Sequence, residues 1–134
     1  MTKQELCRKA QDMLRMAYVP YSHFPVGAAL ECEDGTVFTG CNIENAAYGP
    51  TNCAERTAVF KAVSEGHLQF KRITIAAGTK QFCAPCGVCR QVLREFDPEG
   101  RMEIILVNCD GETRQLTLEQ LLPYSFGSGN LSDE

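Results

Sequence analysis

Residues 73–107, ITIAAGTKQFCAPCGVCRQVLREFDPEGRMEIILV, decide the fold class. Residues 73–77 form a short apolar run of strand length, Pro85 opens a helical segment that reaches about Phe96, and residues 102–107 form a second apolar strand. Strands that alternate with helices predict an α/β domain. Upstream, Asn52 can cap a helix carrying Ala54, Ala58, Val59, Ala62 and Val63 on one face and stopping at Gly66, with Glu55 and Arg56 in its first turn. Val26–Cys32 and Val37–Cys41 are apolar runs joined by Glu33-Asp34-Gly35-Thr36, the turn chemistry of a β-hairpin. At the start of the chain, Thr2-Lys3-Gln4-Glu5 is a capping box, followed by Leu6, Ala10, Met13, Leu14 and Ala17 at helical spacing up to Pro20. Downstream, Asp110-Gly111 marks a turn, Thr117-Leu118-Glu119-Gln120 starts a short helix that Pro123 ends, and the small, polar residues 127–134 read as a loose tail. The expectation is one domain over residues 1–134, a three-layer α/β/α fold with a mixed central sheet.

Composition narrows the function. The chain has 134 residues, 44% hydrophobic and 22% charged, which excludes a disordered or collagen-like chain. Its net charge of -4, with 13 scattered basic residues, argues against a nucleic acid polymer as partner. Met1-Thr2-Lys3-Gln4-Glu5 runs directly into an amphipathic segment, so no secretory leader is expected. No apolar run approaches the roughly 18–20 residues that span a bilayer. A cytoplasmic location follows as the expectation, and in that reducing compartment the eight cysteines should be free thiols or metal ligands.

Position divides those cysteines. Cys86 and Cys89 follow Pro85 at a helix start, so their sulfurs share one face and can chelate one ion. Cys53 opens the other helix, where the positive dipole end favours a thiolate. Three thiolates around Zn²⁺ would leave a fourth position for water, and Glu55, two residues beyond Cys53, could reach it without being a ligand. Three thiolates exceed the metal's charge, so something must draw density off the sulfurs; Arg56 and Arg90, each adjacent in sequence to the cluster, are positioned for that. Other readings remain open here. Cys83 and Cys86 form an overlapping C-x-x-C, so a closed Cys₄ structural zinc module is possible, as is a redox pair. Cys7, Cys32, Cys41 and Cys109 read as ordinary buried or half-buried thiols, and His67 as a surface residue at a helix end.

Thr51-Asn52-Cys53-Ala54-Glu55-Arg56-Thr57-Ala58 and Pro85-Cys86-Gly87-Val88-Cys89-Arg90-Gln91 together resemble the small homotetrameric class of cytidine deaminases, with Cys53 where the wider zinc-deaminase signature carries His. The resemblance extends to residues 20–29, to Gly40-Cys41-Asn42-Ile43-Glu44-Asn45-Ala46-Ala47-Tyr48 and to residues 119–123, and so covers nearly the whole chain. It implies Cys53, Cys86 and Cys89 as ligands of one Zn²⁺ per subunit and Glu55 as the catalytic proton shuttle. It also implies Phe24, Asn42, Glu44, Ala54 and Phe126 as contacts to a pyrimidine nucleoside, with Phe126 entering a neighbouring subunit's site. Arg56, Arg90 and Gln91 would support the ligands from behind. The activity implied is the hydrolysis of cytidine and deoxycytidine to uridine and deoxyuridine in pyrimidine salvage; a blasticidin-type deaminase is the nearest alternative.

Overall fold

The computed structural model describes residues 1–132. Five strands form one sheet: β1 (Val26–Cys32), β2 (Val37–Cys41), β3 (Phe70–Ala77), β4 (Glu103–Val107) and β5 (Thr113–Thr117), in the order β2-β1-β3-β4-β5. β3 and β4 are parallel, with Ile73 opposite Ile104 and Ile75 opposite Leu106, while every other neighbouring pair is antiparallel. The sheet is therefore mixed, as expected.

Side chains alternate across the strands and divide the core in two. Ala28, Leu30, Ile73, Ile75, Ile104 and Leu106 face α2 (Ala54–Ser64) and α3 (Gly87–Glu95), while Ala29, Ala76, Ile105 and Val107 face α1 (Lys3–Asp12) through Leu6, Cys7 and Ala10. Helices on both faces make the three layers. Full burial of Ile73, Ile75 and Ile104 contributes roughly 1.5–3 kcal/mol each, so the β3–β4 pairing is anchored from within.

Several boundaries differ from the sequence reading for local reasons. The first helix keeps α geometry only to Asp12 and tightens into a 3₁₀ turn over Met13–Met16, after which Ala17 is extended and Tyr18 pairs with Ile43. The cap of α2 is Cys53, whose side chain makes no capping bond; Asn52 instead donates Nδ2 to Thr57 Oγ1 at 3.1 Å. The cap of α3 is Cys86, whose Sγ accepts from the Cys89 amide, so Pro85 precedes the helix rather than forming its first residue. β5 was not expected as a strand. The short helix α4 (Leu118–Leu121) carries both halves of its capping box. From Gly127, read from sequence as loose, the chain makes a 3₁₀ turn over Ser128–Leu131 with the Gly127 amide donating to Asn130; Asp133 and Glu134 lie outside the described residues. Among the described residues no helix is long and apolar enough to cross a membrane.

One glycine sets the position of α2. A Cβ on Gly40 of β2 would stand 2.3 Å from the Ala54 carbonyl oxygen and 2.7 Å from the Ala58 nitrogen, so only glycine lets the helix lie this close to the strand. Gly40→Ala should lower unfolding stability by about 1–3 kcal/mol through overpacking, whereas Gly49→Ala, with open space around it, should cost nothing comparable. Urea unfolding of the two variants beside the parent checks this.

Candidate metal centre and active site

The α2 and α3 N-termini converge and bring three sulfurs together. Cys53 Sγ lies 3.8 Å from Cys86 Sγ, Cys86 Sγ lies 3.4 Å from Cys89 Sγ, and all three fall within 4.8 Å of one another. Sulfurs bound at ~2.3 Å to a tetrahedral zinc stand ~3.8 Å apart, so the spacing fits one ion. Cys89 is buried and Cys86 exposed, which opens the cluster on one side. The donor set has three members, the number that leaves a tetrahedral ion a position for a reacting molecule.

Cys83 is not in this cluster. It packs beside the main core, and burial with the nearby charges of Glu55, Cys53 and Cys86 pushes its thiol up to about 11. The closed four-cysteine alternative therefore lacks its fourth sulfur. All eight cysteines are free thiols; Cys7, Cys32 and Cys41 are buried, but Cys109 is exposed, against expectation, in the turn after β4.

The electrostatics around the sulfurs are organised by one cation and one carboxylate. A hydrogen bond from the Cys89 thiol holds Cys53 down to about 5 against burial, and Arg56 adds to this with Nη2 at 3.1 Å from Cys53 Sγ. The same bond and burial push the Cys89 thiol up. Burial works against the Arg56 charge, but hydrogen bonding to the sulfurs more than offsets it. Its Nε is buried with no hydrogen-bond partner among the described residues, so the guanidinium is held here chiefly by the sulfur charge. Glu55 is 4% exposed, and desolvation, with the nearby charge of Cys53, pushes its carboxyl up to about 7.

Arg90 is placed differently from the expectation. Its Nε donates to the Pro85 carbonyl and its Nη1 to the Leu121 carbonyl, both at 2.7 Å, so it braces the turn that delivers Cys86 rather than touching sulfur. Gln91 Nε2 donates to the Phe126 carbonyl at 2.9 Å, and Arg94 Nε to Ser125 Oγ at 2.6 Å. Thus α3 carries two sulfurs at its start and holds the C-terminal segment along its length, with the Phe126 ring left half exposed.

A second group of expected residues gathers around Ile43, which pairs with Tyr18 on one side and Asn52 on the other. These bridges set Asn42 and Glu44 beside the segment leading into Cys53. Asn42 Oδ1 accepts from the Val26 amide and Nδ2 donates to the Phe24 carbonyl, each at 2.9 Å. Glu44 accepts from the Tyr21 and Ser22 amides at 3.0 and 3.1 Å and from the Ser22 hydroxyl, which together hold its carboxyl below the usual range. The two side chains clamp the loop that carries Phe24, including His23 in the left-handed region at φ 55°. A hollow of about 340 Å³ lies there, lined by Tyr21, Ser22, Glu44, Asn45, Tyr48 and Thr51. The sequence gives no sign of this clamping role of Asn42 and Glu44, because nothing local marks a side chain bonded to backbone about 20 residues away. Ala54 is fully buried, with its carbonyl oxygen packed against Gly40.

Residues 1–104 match the family model described as the cytidine and deoxycytidylate deaminase zinc-binding region. The chain is 50% identical over 132 residues to a cytidine deaminase of Sporosarcina psychrophila, covering 98% of this chain and 96% of that one. A cytidine deaminase of Halalkalibacterium halodurans is 47% identical over 133 residues, covering 99% of this chain and all of that one. The crystal structure of cytidine deaminase from Burkholderia pseudomallei superposes with a TM-score of 0.89 at 45% identity, covering 94% of this chain and 100% of that one.

Cys83→Ser should retain the full metal content of the parent, whereas Cys89→Ser should lose the ion of the three-sulfur centre. Mass-spectrometric metal counting on the purified variants decides between the three-sulfur and four-sulfur sites.

Proposed function

This chain belongs to the cytidine and deoxycytidylate deaminase family, and on that premise we propose that it hydrolyses cytidine and deoxycytidine to uridine and deoxyuridine with release of ammonia. Its cofactor is zinc, for which the cluster of Cys53, Cys86 and Cys89 is suited. The observation that carries the reading is Glu55, a buried carboxylate raised to about 7 two residues from a thiolate of an open three-sulfur cluster.

Zinc bound by the three sulfurs supplies Lewis acidity, which brings water toward ionisation near neutral pH. Glu55 accepts a proton from the attacking water and passes it to N3 of the pyrimidine ring. The second water proton follows the same route to the amino nitrogen on C4, which leaves as ammonia. A carboxyl raised to about 7 suits both directions of transfer, because it neither holds nor sheds its proton strongly near neutral pH. Arg56 offsets part of the excess sulfur charge, and Arg90 holds the Pro85 turn that fixes Cys86. Phe24 packs on the base, Asn42 and Glu44 use their remaining hydrogen-bonding capacity on the ribose, and the Ala54 backbone closes the pocket.

We further propose that residues 1–134 work as one deaminase domain within a symmetric homotetramer in the cytoplasm, serving pyrimidine salvage. Exposed Tyr48, Tyr124 and Phe126 support the assembly, since a chain this small offers few walls around a nucleoside. Phe126 then enters the site of a neighbour.

Glu55→Gln should keep zinc and thermal stability and lose about 10²–10⁴-fold in kcat. Uridine formation followed by ultraviolet absorbance, beside metal counting, tests it; an active Gln variant overturns the assignment. Glu55→Gln and Phe126→Ala chains, each impaired alone, should regain activity when dissociated together and reassembled, because mixed sites then combine an intact Glu55 with an intact Phe126.

A further inference from the structure

We propose that Cys32, Asp34 and His67 form a second cation site, remote from the three-cysteine centre, that takes a divalent ion of the zinc class. The Cys32 sulfur, an Asp34 carboxylate oxygen and a His67 ring nitrogen lie within 4.8 Å of one another. His67 Nδ1 stands 3.3 Å from Asp34 Oδ2. That is long for a charge-assisted N–H···O bond, which closes to about 2.7–2.9 Å. It matches the ~3.3 Å between nitrogen and oxygen ligands that each sit ~2.0–2.1 Å from one tetrahedral ion. Thiolate, imidazole and carboxylate together select a borderline metal such as zinc or cobalt over magnesium or calcium.

Each donor is held in place before any ion arrives. Asp34 Oδ1 accepts from the Thr36 amide at 2.9 Å, which leaves Oδ2 facing His67. The His67 amide donates to the Ala62 carbonyl and the Gly66 amide to the Val63 carbonyl, a Schellman ending of α2 with Gly66 at φ +88°. The His67 ring packs edge-on against Phe38, centroids 5.2 Å apart, and Cys32 is 1% exposed at the end of β1. A hollow of about 330 Å³, lined by Cys32, Glu33, Asp34, Gly66, His67 and Gln69, gives solvent room to complete the coordination. Binding displaces the Cys32 thiol proton to solvent and changes no oxidation state.

Cys53 precedes α2 and His67 follows it, so the two sites flank opposite ends of an 11-residue helix about 16 Å long. An ion here would pin the β1–β2 turn to the α2–β3 connection. The inference does not depend on the proposed reaction.

Protein dialysed against low-micromolar zinc should hold two ions per chain by mass spectrometry. His67→Gln and Asp34→Asn should each hold one and deaminate cytidine at the parent rate, while Cys86→Ser should lose the other ion and keep the His67-dependent one. With Co²⁺ as probe, the Cys86→Ser protein should show a sulfur-to-cobalt absorption band that His67→Gln removes. A parent that saturates at one ion, or a His67→Gln variant that still holds two, overturns the proposal. Loss of deamination in the parent would instead count against the proposed reaction, leaving the metal count untouched.

Discussion

Three sulfurs within 4.8 Å of one another cannot all ionise unless positive charge reaches them, and much of this molecule is arranged to meet that constraint. Two helices end their N-termini at the same place, each with a cysteine as cap, so their unpaired amides and dipoles face the sulfurs. Among the described residues Arg56 supplies the one guanidinium hydrogen-bonded to them. Gly40 permits the closeness of α2 to the sheet on which this convergence depends. Charge and packing are thus solved by the same two helix ends.

The same arrangement accounts for Glu55. A carboxylate beside thiolates and out of water is disfavoured on both counts, and its proton affinity rises toward neutrality. Arg56, one residue on, faces Cys53 and so spends its charge on sulfur. Adjacent residues on a helix point in different directions, which lets one turn hold a cation against the sulfurs and a neutralisable acid beside them.

The parts of the fold legible in the sequence are those written in strong periodicity. Residues 73–77 and 102–107 are apolar enough to declare buried strands, and Thr2 and Thr117 declare helix starts through complete capping boxes. The cysteine cluster was legible because Cys86 and Cys89 lie one turn apart. What escaped depended on contacts distant in sequence. Asn52 looks like a cap but bonds Thr57, and Arg90 looks like a partner for sulfur but bonds Pro85 and Leu121. Likewise, Asn42 and Glu44 read as ligand contacts, and nothing near them in the sequence tells that they also hold the Phe24 loop. His67 looked like an isolated surface residue because Asp34, 33 positions earlier, returns to it only through the sheet.

β5 was missed for a different reason: Thr113, Arg114 and Gln115 are polar and exposed, and such a stretch carries no apolar signal. That weakness has a use at the margin of the sheet. Arg114 lies over the Phe82 ring at 5.2 Å, which anchors a charge on the outermost strand. An extended segment from another molecule that tried to add beside β5 would have to strip water from that guanidinium and from the neighbouring polar side chains. The least recognisable strand is thereby a barrier to aggregation, and the sheet ends in solvent without needing a further element to cover it.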